Sequence, residues 1–106
     1  MTKAWFVYVT AANKKEGESI SRALVAEKLA ACVSIVPGVS SRYWWQGRIE
    51  QSKEILLIIK TTPRRYQELE RRVKDLHSYS VPEILATPVV EGNPGYLKWI
   101  KNTLEM

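Results

Sequence analysis

Cysteine and histidine, the side chains best suited to nucleophilic attack and to holding a soft or borderline metal, occur once each in this sequence, as Cys32 and His77. They lie far apart, with none of the tight Cys-x-x-Cys or His-x-x-x-His spacing that marks a local metal motif. Read singly, a cysteine opening an apolar strand is a small buried hydrophobe, and a histidine at a helix end is a partner for the last carbonyls or the helix dipole. Neither a Ser-His-Asp arrangement nor a pair of catalytic carboxylates can be assembled around one histidine. The sequence therefore carries no recognisable catalytic residues, and a non-enzymatic role is expected.

The elements that must position these groups follow a doubled pattern. Trp5-Phe-Val-Tyr-Val-Thr10 is aromatic and β-branched and reads as a strand. Asn13 followed by Glu16 resembles a capping box, and Ile20, Ala23, Leu24, Ala30 and Ala31 share one side of the helix that follows. A second strand from Ala31 or Cys32 runs through Val33, Ile35, Val39, Tyr43 and Trp45, apolar at odd positions, with Pro37-Gly38 marking a bulge or bend inside it. Gln46-Gly47 turns the chain into Arg48-Ile49-Glu50 and then the wholly apolar run Ile55 to Ile59. Pro63 opens a second helix with Tyr66, Leu69, Val73 and Leu76 at helical spacing, and His77-Ser-Tyr-Ser80 ends it. Glu83 to Val90 reads as a short edge strand because of Pro88, and Asn93-Pro94 starts a closing helix with Tyr96, Leu97, Ile100 and Leu104. This order predicts one α+β domain spanning residues 1–106: a ferredoxin-like split βαβ, that is βαββαβ plus a C-terminal helix, on a four-stranded antiparallel sheet.

With 45% hydrophobic and 25% charged residues, the composition is that of an ordinary globular protein. The net charge of +5 invites a nucleic-acid partner, but Arg64, Arg65, Arg71, Arg72 and Lys74 are interrupted by Glu68, Glu70 and Asp75 and read as a solvated helix face. RNA-recognition domains of this fold carry aromatics on the third strand, whereas Glu54 to Lys60 has none. An acyl-phosphate hydrolase would need glycines after the first strand, and Thr10-Ala-Ala-Asn-Lys-Lys15 has none. No nucleic-acid partner is expected. Nor is a membrane, because the apolar segment from Ala4 to Thr10 is too short for a span or a signal core. The lone cysteine fits the cytoplasm.

Two helices roof one face of such a sheet, yet the runs at Trp5 to Val9 and Ile55 to Ile59 are apolar on both. A bare apolar sheet face marks an interaction surface, and the closing helix is too short to cover all of it. Tyr43-Trp44-Trp45 near a hairpin turn adds aromatics that are costly when solvated and useful against a neighbour. A closed homo-oligomer is the expected solution.

Several segments together resemble the CutA divalent-cation (copper) tolerance family: Leu29-Ala-Ala-Cys-Val-Ser-Ile-Val-Pro-Gly38, Tyr43-Trp-Trp-Gln-Gly-Arg-Ile-Glu50, Glu54-Ile-Leu-Leu-Ile-Ile-Lys-Thr61, Leu76-His77, Tyr79, Val81-Pro-Glu83, Gly92 and Tyr96-Leu-Lys-Trp99. The resemblance covers nearly the whole chain. It implies a homotrimer of ferredoxin-like subunits, similar in shape to small trimeric nitrogen-signalling proteins, with a role in the response to divalent metal ions. It points to Cys32, His77 and Glu83 as metal ligands, for copper or another divalent cation held weakly, with no cofactor required. Taken alone, Glu83 also reads as an ion-pair residue. Ser78 and Ser80 depart from the family pattern, which has proline and an acidic residue there, and this reduces the local carboxylates around a metal. A small-molecule-sensing or scaffolding trimer with no physiological metal is the alternative.

Overall fold

The computed structural model describes residues 3–105, in which the alternating N-terminal run becomes β1 (Trp5–Ala11) and its apolar partner β3 (Arg48–Thr61). With β2 (Cys32–Trp45) and β4 (Ile84–Pro88) they form one antiparallel sheet of order β2-β3-β1-β4, the ferredoxin-like arrangement. Helices α1 (Lys14–Ala26) and α2 (Pro63–Leu76) roof one face, and α3 (Pro94–Leu104) closes the chain.

The period of two in each strand divides the sheet between a dry face and an open one. Val7 and Val9 of β1 pair with Ile59 and Leu57 of β3, and all four are fully buried beneath Ile20 and Leu24 of α1 and Leu69 and Val73 of α2. Burying side chains of this size is worth about 1.5–3 kcal/mol each, which makes this layer the main source of stability. Phe6, Tyr8, Leu56 and Ile58 point the other way and are only half-buried. Leu97, Ile100 and Leu104 of α3 pack with Ala4, Ala31 and Val89 in a separate cluster where β1 and β2 begin. The open face keeps Leu85 61% exposed, so no element among the described residues roofs it completely.

Local chemistry explains most boundaries. Asn13 accepts the Glu16 N–H at 2.9 Å and caps α1, while Pro63 occupies the first turn of α2 and Asn93 caps α3. Helix α1 stops a turn before the expected Ala30 and Ala31, because Lys28 turns into the left-handed region at φ 61°. There the Leu29 and Ala30 N–H groups bond back to the Leu24 carbonyl, and both side chains enter the core.

Pro37-Gly38 does form the expected bulge: the β2–β3 register shifts between Val36 and Val39, with Gly38 at φ 75°. Its consequence is not visible in the numbering. Val33 and Ile35 pair with Ile59 and Leu57 on the helix face, whereas Val39, Ser41, Tyr43 and Trp45 pair with Glu54, Ser52, Glu50 and Arg48 on the open one. The unbroken series of odd apolar residues thus serves two faces. Beyond the bulge β2 and β3 continue as a largely exposed ribbon, which elongates the molecule to 44 × 26 × 22 Å.

The ribbon closes through Gln46 at φ 51° and Gly47 at φ 77°, a two-residue turn that needs positive φ at both positions. Glycine meets this requirement at 47, where an added Cβ would touch nothing, but glutamine at 46 is strained. Gly47→Ala should therefore cost about 1 kcal/mol from the backbone alone, and Gln46→Asn should be neutral or stabilising. Denaturant midpoints of the two variants check this; an unchanged midpoint for Gly47→Ala would contradict it.

Candidate functional site

The polar groups converge where β1 ends and α2 stops. His77 follows the last helical residue, and its side chain is fully buried. Nε2 lies 2.7 Å from the Thr10 carbonyl, which can only accept, and Nδ1 lies 3.1 Å from the Tyr79 N–H, which can only donate. These partners place a ring proton on Nε2 and the Tyr79 N–H against Nδ1. Both ring nitrogens are occupied.

Glu16 completes the junction from α1. One carboxylate oxygen accepts the Ala12 N–H at 2.7 Å and the other accepts the Ser78 N–H at 2.5 Å, so a single side chain ties the start of α1 to the end of α2. A proline at position 78 would have no N–H to give, so the departure to Ser78 adds a bond here. Burial acts to raise the Glu16 pKa, but the Ala12 and Ser78 donors and the nearby His77 outweigh it and leave the carboxyl below its ordinary value of 4.5.

The next carboxylate is Glu54 on β3, only 6% exposed although it belongs to the open face. The Tyr79 hydroxyl donates to its Oε2 at 2.9 Å. Tyr79 is itself fixed by the His77 ring, 4.8 Å away between centroids. Burial first, then the bond to Glu54 and its negative charge, push the Tyr79 phenol up to about 12, so it remains a donor at physiological pH. Alongside, Tyr43 shares a 2.6 Å hydrogen bond with Ser52 across the ribbon. Glu54, Thr10, Ser41, Tyr43, Trp45, Tyr79 and the 80–83 loop surround a groove of about 720 Å³.

Of the three residues implied as metal ligands, Cys32 and His77 stand apart. Cys32 pairs with Lys60, and Thr10, which anchors His77, pairs with Leu56; four strand residues separate Lys60 from Leu56, about 13 Å along the sheet. The Cys32 thiol sits 3.8 Å from the Lys60 ammonium, which also donates to Ser34. Glu83 is exposed on the rim of the groove. Among the described residues no group of three or more His, Cys, Asp or Glu side chains is placed to hold a metal ion, so one subunit does not fit the ion the family's name implies. Sequence reading missed the roles of Glu16, Glu54 and Tyr79 as one hydrogen-bonded set. The available signal was Glu54 itself, a carboxylate placed directly before five apolar strand residues.

Glu16→Gln should destabilise the protein by about 1–3 kcal/mol near neutrality, by weakening two charge-assisted bonds. Because the folded pKa is lowered, this contribution is complete above pH 4.5 and is lost as pH falls through the lower folded value. Urea unfolding of both proteins between neutral and acidic pH should show the difference closing on the acid side; a difference independent of pH would exclude an ionised Glu16 as the tie.

The fold agrees with comparisons to known proteins. A family model described as "CutA1 divalent ion tolerance protein" matches residues 5–103. "Divalent-cation tolerance protein CutA" of Thermus thermophilus is 48% identical over 90% of this chain and 92% of its own length. "Protein CutA 1, chloroplastic" of Oryza sativa is 48% identical over 92% of the chain, which spans only 55% of that longer protein. The solved divalent cation tolerance protein of Thermus thermophilus superposes with a TM-score of 0.93 at 46% identity, covering 94% of this chain and 97% of that one. Matched from the first strand into the last helix, in sequence and in fold, the chain belongs to the CutA1 divalent ion tolerance family.

Proposed function

We propose that this protein acts in divalent-cation tolerance as a non-enzymatic homotrimer of the cytoplasm, in which copper or a similar ion is met by the assembly rather than by a chelating centre inside one subunit. The observation that carries the reading is the ribbon. Trp44 and Ile49 pair across it on the face opposite Tyr43 and Trp45, and they are 72% and 61% exposed. Apolar side chains of this size in one patch, together with two unpaired sheet edges, form a surface suited to a second copy of the chain.

The role in cation tolerance is supported by the names borne by the relatives and not by an assembled ligand set. Of the implied ligands, Cys32 supplies the only thiol, which suits copper, and Glu83 lies exposed, whereas His77 would have to surrender a backbone hydrogen bond to bind an ion. Cys32 is thus the residue on which a copper contact depends.

Light scattering should give a mass three times the 12.2 kDa of the chain, and the pair of substitutions Trp44→Glu and Ile49→Glu should shift it toward one chain. A mass of 12.2 kDa for the unaltered protein at every concentration would refute the assembly. Copper titration should lose its tightest event in Cys32→Ala and change little in His77→Gln. An undiminished event in Cys32→Ala would refute the copper contact while leaving the trimer intact.

A further inference from the structure

The groove between the ribbon and the 79–83 loop has the construction of a ligand site, and nothing in the metal reading uses it. Its volume of about 720 Å³ falls within the range of small-molecule pockets, roughly 300–1,000 Å³. Its walls and its charge disagree with the rest of the protein. The chain as a whole carries +5, yet the ionisable side chains turned into the groove include two carboxylates, Glu54 and Glu83. Arg42 borders it too, but register places Arg42 on the other face of the ribbon, where its guanidinium donates to Gln51 at 3.2 Å.

Glu54 is the informative residue. A carboxylate that is 6% exposed normally gathers several donors, because burying the charge costs far more than one hydrogen bond returns. Here Tyr79 donates to Oε2, and among the described residues no donor is bonded to Oε1. Glu54 lines the groove at the foot of Tyr43 and Trp45, which stand on the same side of the ribbon.

The geometry points to a binding site for an organic ammonium cation in this groove, its N–H donors on the Glu54 carboxylate and its hydrocarbon body against Tyr43 and Trp45. Aromatic faces attract cations, and a largely buried carboxylate with one uncommitted oxygen supplies the opposite charge. The other ligand classes fit less well. An anion meets two carboxylates with no free cationic side chain to offset them. A bare divalent ion needs several oxygen ligands, and no cluster of three acidic, histidine or cysteine side chains exists among the described residues. Tyr79, held protonated, keeps one Glu54 oxygen engaged and leaves the other for a single point charge. The site is contained in one chain and lies on the ribbon face opposite Trp44 and Ile49, so it goes beyond the assembly reading and does not depend on it.

The test is a titration of the full-length ¹⁵N-labelled protein with benzylammonium, in parallel with neutral benzyl alcohol and with magnesium or zinc chloride. The expected result is saturable benzylammonium shifts centred on the Tyr43, Glu54, Tyr79 and Val81 amides, with benzyl alcohol at least about tenfold weaker. Glu54→Gln should weaken benzylammonium by a similar factor. Trp45→Leu, an exposed ribbon position whose change cannot open the core, should also weaken it and settles the question if Glu54→Gln fails to fold. Equal binding of the alcohol, undiminished binding in the folded variants, shifts centred elsewhere, or saturation of these amides by the metal salts alone would each overturn the proposal. Light scattering on the same samples separates this outcome from that of the trimer, since a monomer that binds benzylammonium retains the site.

Discussion

The pairing of β2 with β3 across the Pro37-Gly38 bulge is the constraint on which the rest of the molecule turns. One long ribbon has to supply core residues at one end and an exposed arm at the other. An uninterrupted strand would keep every odd residue on the helix side, sending Tyr43 and Trp45 to the face that carries Ile49, and Trp44 to the open one. By opposing extra residues of β2 to a shorter stretch of β3, the bulge exchanges the faces at the point where the helices end. The arm then has an aromatic side over the groove and another side free for a neighbour, and neither competes with the core.

A second consequence concerns how polar groups survive near that core. Glu16, His77, Tyr79 and Glu54 come from α1, the end of α2, the loop beyond it and β3; Glu16 accepts the Ser78 N–H, His77 accepts the Tyr79 N–H, and the Tyr79 hydroxyl donates to Glu54. Among the described residues no buried side-chain nitrogen or oxygen lacks a partner. A network of this kind has a fixed geometry, because losing one member leaves the next desolvated and unpaired. It therefore fixes the 77–83 loop, which has no regular structure of its own, against the end of β1. The wall of the groove owes its position to hydrogen bonds, whereas the opposite wall owes its position to strand pairing.

The contrast between these two walls explains what was legible in the sequence. Strand and helix identities followed from periodicity, caps and turn residues, all of which act over a few positions: Asn13, Pro63, Asn93 and Gln46-Gly47 each do locally what their types suggest. The sheet order followed from the doubled pattern. The exchange of faces at Gly38 was not legible, because a bulge announces a bend but not its effect on side-chain direction. Nor was the set Glu16–His77–Tyr79–Glu54, whose members are separated by up to 63 positions and meet only when both halves of the fold close. The end of α1 departs from the pattern for a related reason: Ala30 and Ala31 continue the helical stripe in sequence, but both belong to the connection, where Ala30 reaches the interior by another path and Ala31 is only half-buried.

The same geometry bears on what divalent-cation tolerance can mean for this chain. Histidine binds a metal through a nitrogen lone pair, and on His77 one nitrogen carries the proton given to Thr10 while the other accepts from Tyr79. Breaking either bond would release the 77–83 loop as well as a ligand, so ion binding there would compete with the fold. Cys32 lies toward the opposite end of the open face, with the Lys60 ammonium 3.8 Å from its sulfur. Among the described residues no convergent set of donors is placed to sequester an ion within one subunit.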